Sequence, residues 1–215
     1  MGRGSFRAAL LLPGAFGWFL YVYATMAVRT AFGSLFLVYT ALFGVSLWGA
    51  ALALRSVWST PVRALPGRAL PRREVGALLV VTGVATGVIW LGPMAGAQLA
   101  GQLPARLETH TTAVAVALAL AVVPPAVLVV GVLVLRERSS GYVAAVPLLV
   151  LGTFLAPMIV AQTVSQLAAG IELTRAEVVG QLSGFLVLSV AAGWVLVRLL
   201  GAVEDAWHHG TFAPV

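Results

Sequence analysis

The sequence contains no cysteine and no asparagine, and few of its residues carry a charge. Without cysteine, the chain forms no disulfide, thiolate nucleophile or cysteine-ligated metal centre. Without asparagine, it has no N-glycosylation sequon. Charged residues make up only 9% of the 215 residues, whereas a soluble domain has about a quarter. Such a chain cannot cover a water-facing surface with polar groups, so its composition favours a protein that folds within a bilayer.

Six long apolar runs account for most of the chain, which is 60% hydrophobic. Each run approaches the ~20 residues that a helix needs to cross ~30 Å of hydrocarbon. In lipid every backbone polar group must be satisfied internally, so long apolar runs are helices. We therefore predict an all-α polytopic membrane bundle of about six transmembrane helices, a single domain over 1–215. The predicted helices cover 8–28, 30–54, 75–100, 112–135, 142–169 and 176–200.

The arginines lie mainly between these runs and indicate the orientation of the chain. A basic, proline-rich linker, 55–74, holds five of them; placing it in the cytoplasm puts ten of the 13 arginines there, which satisfies the positive-inside rule. Both termini, including a short tail at 201–215, are then cytoplasmic. Arg3 and Arg7 precede the first run as in a signal peptide, but its length and aromatic residues favour a retained span. The net charge of +6 thus indicates contact between the linker and anionic lipid, and no binding of nucleic acid.

Polar residues within the predicted helices concentrate at the outer ends. The pairs Gln98/Gln102 and Gln162/Gln166 each have i, i+4 spacing, which places both amides of a pair on one helix face. Polar groups at membrane depth often mark a binding site or pathway, so the pattern predicts an outward-opening polar pocket. The candidate ligand-binding residues are Arg29, Gln98, Gln102, His110, Gln162, Gln166 and Gln181. The alternative is that the amides join neighbouring helices and Arg29 extends to the interface.

Prolines and glycines interrupt several of the predicted helices. A proline inside a helix removes a backbone hydrogen bond and bends the helix, and broken helices line the sites of some transporters. The candidate hinges are Pro93, Pro124, Pro125 and Pro157, with a purely structural kink as the alternative. The pairs Gly83/Gly87 and Gly92/Gly96 predict close contacts with other helices of the same chain.

Several functional classes lack the residues that they require. No carboxylate lies in the centre of a predicted helix, which argues against a simple proton-coupled carrier. The helices contain no lysine for a retinal Schiff base and no paired histidines at the depth of two haems. The chain also has no P-loop, HExxH or GxSxG motif. The sequence therefore indicates no cofactor and no metal, and it favours a non-enzymatic role.

Part of the sequence resembles a known group of membrane proteins. The resemblance is carried by residues 31–47 of the second predicted helix, by Trp90-Leu91, and by the turn at 136–142. These segments look like those of a group of bacterial six-helix membrane proteins of unknown function. The resemblance implies six helices and a bacterial plasma (inner) membrane. It implies no site residue.

Three functional classes are compatible with these features. The first is a small-solute transporter or channel that uses the outer pocket. The second is a non-catalytic subunit, sensor or assembly factor, in a homo-oligomer or a larger membrane complex. The third is a membrane enzyme that acts on lipid or isoprenoid, with Glu108 and His110 as acid and base. A large exposed face of small residues favours the second class, and a lateral opening near His110 favours the third.

Overall fold

The chain folds as a helical membrane bundle, as predicted. The computed structural model describes residues 6–29, 33–58, 70–101, 114–170 and 173–208, and 91% of these residues are helical. The helices in these ranges are α1 (Phe6–Arg29), α2 (Phe36–Trp58), α3 (Arg72–Leu99), α4 (Val114–Ala121), α5 (Val123–Leu135), α6 (Ser139–Ala168) and α7 (Arg175–His208). Of these, α1, α2, α3, α6 and α7 have the length and composition to cross a membrane, and α4 with α5 forms a further apolar segment.

The fourth predicted helix is divided in two, so the prediction of one continuous helix over 112–135 was wrong. Prolines at 124 and 125 have no N–H, so the carbonyls of Leu120 and Ala121 lose their helical partners. Helix α4 therefore ends at Ala121, and α5 begins at Val123 with both prolines in its first turn, where a missing N–H is harmless. The break lies at Val122, whose carbonyl accepts a bond from the amide of Ala126 at 3.1 Å.

Two other helix boundaries also differ from the prediction. The second helix begins at Phe36, because residues 33–35 form a turn in which the Phe36 amide bonds the Gly33 carbonyl at 3.1 Å. The last helix continues to His208 rather than ending at Leu200. Neither difference changes the order or direction of the membrane helices.

The helices pack as three antiparallel hairpins: α1 with α2, α3 with α4 and α5, and α6 with α7. Helix α6 occupies the centre, since it also packs against α1 and α5, whereas α2 packs mainly on α1. We call the end at which α1, α3 and α6 begin the basic end, because it carries Arg7, Arg72 and Arg138. The opposite end, where α3 and α6 finish after Gln98 and Gln166, is the glutamine end.

The packed core lies in the half of the bundle nearest the basic end. Its most deeply buried residues come from six helices: Leu10 (α1), Val57 (α2), Val75 (α3), Val134 (α5), Tyr142 (α6) and Leu199 (α7). Each of these positions falls close to the basic end of its helix. Apolar packing therefore closes the bundle at that end.

Glycines allow the closest helix contacts within this core. A Cβ atom on Gly141 would lie 2.7 Å from the backbone nitrogen of Val134 and 2.8 Å from the carbonyl carbon of Leu133. A Cβ on Gly131 would lie 3.1 Å from the backbone nitrogen of Val80 and 3.2 Å from the carbonyl oxygen of Gly76. Small residues thus bring α5 into backbone contact with both α6 and α3.

The predicted glycine contacts of α3 are confirmed at one position only. A Cβ on Gly83 would lie 2.7 Å from the Leu128 side chain of α5. At Gly87, Gly92 and Gly96 no atom of the described residues lies within 4 Å of such a Cβ, so the expected internal contact there stays a prediction. Helix α3 packs on α5 near the basic end and is largely exposed beyond Gly83.

Candidate functional site

Two ion pairs lie at the basic end, one between two hairpins and one between α3 and the turn that links the second hairpin to the third. Arg72 at the start of α3 pairs with Glu137 in the turn between α5 and α6. Arg198 of α7 pairs with Glu74 of α3, with 2.6 Å between Nη1 and Oε1. All four side chains are partly exposed, between 36% and 49%, so each pair contributes only about 0–1 kcal/mol. The pairs therefore mark where the hairpins meet without locking them together.

Two further contacts of arginine lie at the same end. The guanidinium of Arg7 in α1 donates a hydrogen bond to the carbonyl of Leu200 in α7, at 3.3 Å. The Arg198 guanidinium also lies 5.2 Å from the ring centre of Trp194, a cation–π arrangement. Together with the ion pairs, these contacts connect α1, α3, α7 and the α5–α6 turn around the closed end.

The α5–α6 turn holds its acidic residue in an unusual conformation. Glu137 has a φ of 57°, in the left-handed region that costs a non-glycine residue about 1–2 kcal/mol. The amide of the next residue, Arg138, bonds the Leu133 carbonyl at 2.9 Å, as in a Schellman C-cap. Glycine is the usual residue at this position, and the glutamate found here adds a charge to the turn. Its carboxylate pairs with Arg72 at the start of α3.

The glutamine end is much more open than the basic end. On α6, residues 160, 161, 162, 164 and 165 are exposed, and Thr163 is buried. Successive residues of a helix are about 100° apart, so these exposed positions span roughly 200° of the circumference of α6. The buried Ile159 and Thr163 lie on the remaining side, so α6 keeps packing contacts on one side only toward the glutamine end.

The predicted pocket residues lie at this open end, where they can be located. Gln98, in the last turn of α3, and Gln162 of α6 are exposed, and Gln166 of α6 is half-buried. Within the described part of the chain, these three amides form no hydrogen bond with one another. Arg29 ends α1 and Gln181 lies near the start of α7, but their side chains are not described, and Gln102 and His110 lie outside the described residues. A pocket that these residues share stays a prediction.

The candidate hinges occupy three different helices. Pro93 is exposed within α3, and Pro157 is exposed within α6. At the start of α5, Pro124 is buried and Pro125 is exposed. The break beside the proline pair is a structural fact, whereas bending at any of these positions stays a prediction.

Sequence reasoning missed a polar contact between α6 and α7. The Ser189 hydroxyl accepts a hydrogen bond from the Ala156 amide at 2.8 Å and donates one to the Gly152 carbonyl at 2.9 Å. Ser189 is buried, and it stands between two backbone groups that normally bond each other in a helix. The available signal was the spacing of four between small residues, Gly152 with Ala156 and Ser189 with Gly193.

The described residues offer hydrogen-bonding and charge-pairing chemistry. Over the five ranges of chain that are described, no group of three or more histidines and carboxylates is placed to hold a metal ion. Comparison with known proteins gives no match to a family model, to a curated protein or to a solved structure. Bacterial origin and a plasma-membrane location stay predictions from the sequence.

Proposed function

We propose that the protein is a small-solute transporter or channel whose solute enters at the glutamine end. The observation that supports the proposal is the difference between the two halves of the bundle. A continuous apolar core closes the basic end, whereas α6 is exposed over more than half of its circumference toward the glutamine end. The space around that part of α6 carries the amides of Gln162 and Gln166, which can donate or accept hydrogen bonds.

Passage across the membrane requires the basic end to open as well. The pair that joins α7 to α3, Arg198 with Glu74, is partly exposed, so water can solvate its charges when these helices separate. In addition, Oε2 of Glu74 is buried and has no hydrogen-bond partner among the described atoms, which leaves this carboxylate incompletely satisfied in the closed arrangement. Both features lower the free energy needed to separate α7 from α3.

Water at the glutamine end is the first test of this proposal. In this cysteine-free chain, Gln162→Cys and Val164→Cys place single thiols on nearly opposite sides of α6. We expect both thiols to react with a charged, impermeant methanethiosulfonate at least ~10 times faster than a thiol facing lipid, because the reactive thiolate forms in water. The measurement is the labelling rate in intact vesicles, with reagent on the glutamine-end side.

The matched control is Ala41→Cys, at an exposed position of α2 with a similar distance from the glutamine end. Helix α2 packs mainly on α1, so its exposed side faces lipid. Equal and slow labelling at 41, 162 and 164 would show lipid around α6. The proposed solute entry would then have no basis.

A specific observation also favours the second candidate, a subunit of a membrane complex. Beyond Gly83, α3 exposes Gly92, Pro93 and Gly96, which form a face of small residues without a partner in the described structure. Such faces let membrane helices approach closely. Disulfide trapping after Gly92→Cys separates the two candidates, since a cross-linked complex in native membranes favours the subunit role.

We also propose that anionic lipid binds at the basic end. The sequence predicts this contact for the linker at 55–74, and the proposed surface adds arginines of the α5–α6 turn. Arg72 is already paired with Glu137, whereas Arg73, Arg136 and Arg138 are exposed and have no acidic partner among the described residues. Arg72, next to Arg73, reaches the turn that carries the other two arginines, so the three charges share one surface. Each basic residue near an anionic membrane surface contributes about 1 kcal/mol.

Replacing Arg73, Arg136 and Arg138 together by glutamine is expected to weaken anionic-lipid binding by about 3 kcal/mol, or roughly 100-fold. The measurement is phosphatidylglycerol retention in detergent by native mass spectrometry. The control is Arg175→Gln, which removes an exposed arginine from the glutamine end. Equal lipid retention by the triple variant and the control would contradict a lipid surface at the basic end.

A further inference from the structure

We propose that Ser189 is a two-position hydrogen-bond switch that sets the direction of the α6 segment at the glutamine end. In the observed position its hydroxyl stands between the Ala156 amide and the Gly152 carbonyl, 2.8 and 2.9 Å away. A side chain that bonds both groups of one main-chain pair competes with the helical hydrogen bond between them, and its insertion into the ladder is a recognised cause of helix bending.

The next bond of the same ladder is absent. Residue 157 is a proline, so it has no N–H to donate to the Thr153 carbonyl. Ser189 thus bonds both partners of one main-chain pair of α6, and Pro157 removes the donor of the next. This joint separates the well-packed segment of α6, up to Ala156, from a segment that is buried on one side only.

The polar groups involved can be satisfied in a second arrangement. If Ser189 withdraws, the Ala156 amide and the Gly152 carbonyl can bond each other directly, as in a regular helix. The hydroxyl can then bond the carbonyl four residues earlier in its own helix, that of Phe185. Thr163 and Thr153 already form bonds of this type, to Ile159 and Leu149 at 2.8 and 2.7 Å. Both arrangements pair the Ser189 hydroxyl, the Ala156 amide and the Gly152 carbonyl, and both leave the Thr153 carbonyl without its helical donor, so the two can have similar free energies.

Packing around the joint permits the movement. Small residues face each other beside Ser189: a Cβ on Gly152 would lie 3.1 Å from the Cβ of Ala192, and one on Gly193 would lie 3.4 Å from the Thr153 methyl. These surfaces are smooth and lack long side chains that would interlock. Beyond Pro157, α6 is packed only on the side of Ile159 and Thr163, and its other side has no described neighbour to resist bending.

The switch deepens the proposed function, since moving this segment changes the opening at the glutamine end. The role of the switch in solute entry rests on the proposed function, whereas the existence of the switch does not. The conformational change itself is measured by a distance and does not depend on a solute. If the thiols at 162 and 164 label slowly while the spin labels still report two distances, the solute path is excluded and the switch is retained.

The test is a distance measurement by pulsed electron paramagnetic resonance in lipid nanodiscs. Leu167→Cys on α6 and Val179→Cys on α7 place spin labels at exposed positions near the glutamine end of an otherwise cysteine-free chain. Leu167 lies about 16 Å along the helix from the joint, so a change of about 20° in direction moves it by roughly 5 Å. We expect two distance populations with Ser189 present and a single one after Ser189→Ala.

Two controls separate the switch from a general loss of structure. Ser46→Ala removes another buried serine, whose hydroxyl bonds Leu42 within its own helix at 2.7 Å, and it should leave both populations unchanged. A second label pair near the basic end, Ser140→Cys with Val197→Cys, should keep its distance in the Ser189→Ala protein.

A variant on the α6 side keeps the test decisive if Ser189→Ala fails to fold. Pro157 is exposed, so Pro157→Ala restores a hydrogen-bond donor without emptying the core, and it is expected to leave one population with Ser189 still present. Unchanged distance distributions in the folded variants would overturn the proposal. A single population in the unsubstituted protein would overturn it as well.

Discussion

Replacing Gly141 by alanine is expected to lower the free energy of unfolding by about 2–3 kcal/mol, the upper range for overpacking by a single group. The added Cβ would lie 2.7 Å from the Val134 nitrogen and 2.8 Å from the Leu133 carbonyl carbon. Backbone atoms cannot move aside as a flexible side chain can, so α5 and α6 must separate. The measurement is reversible unfolding in mixed micelles, followed by circular dichroism.

The matched control is Gly87→Ala. No described atom lies within 4 Å of a Cβ at Gly87, and alanine is a better helix former than glycine by roughly 0.5–1 kcal/mol. We therefore expect this control to leave stability unchanged or to raise it. Similar losses for Gly141→Ala and Gly87→Ala would contradict the close contact between α5 and α6.

Truncation of Tyr142 to alanine is expected to destabilise the protein by about 3–5 kcal/mol, as for other large buried side chains. Tyr142 is 2% exposed and is the largest fully buried side chain of the core. It lies in the first turn of α6, where α6 meets α5 near the basic end. The same unfolding assay measures the loss.

Truncation at the glutamine end should have little effect. Leu167 is 50% exposed, so Leu167→Ala should change the stability by no more than about 0.5 kcal/mol. The difference in the free energy of unfolding between Tyr142→Ala and Leu167→Ala measures how much more the packing at the basic end stabilises the bundle. Comparable losses from both would mean that the glutamine end is packed as tightly as the core.

The helices themselves could be predicted because lipid leaves few alternatives. A long apolar run in a bilayer must satisfy its backbone internally, and this condition alone places α1, α3 and α6 to within a few residues. The break at Val122 follows from the sequence, since Pro124 and Pro125 together interrupt the fourth apolar run. Two consecutive prolines remove two consecutive backbone N–H donors, which ends the helix instead of only bending it.

Helix packing could not be predicted in the same way. Exposed and buried faces of these helices carry the same residue types: Val81 of α3 is 64% exposed and Val75 is fully buried. Lipid is as apolar as leucine or valine, so hydrophobicity does not indicate which face meets a neighbouring helix. The sequence therefore does not distinguish Gly83, which contacts α5, from Gly92 and Gly96, which contact no described helix.

The sequence predicts where the candidate glutamines lie along the bundle, but it does not predict which side chains contact each other. Helix order alone places Gln98, Gln162 and Gln166 at one end of the bundle, where the structure has them. The contacts of Ser189 had no comparable signal, because its partners are backbone groups of another helix. Any serine in an apolar helix looks alike until the neighbouring helix is known.

The pairing of consecutive helices into hairpins has a consequence for biosynthesis. Each hairpin joins segments that leave the ribosome one after another, so it can form during membrane insertion without waiting for distant parts of the chain. The contacts between hairpins are made mainly by α6 against α1 and α5. A nascent chain that has inserted only through Leu135 therefore holds two hairpins with little to unite them, and the arrival of α6 brings these hairpins together.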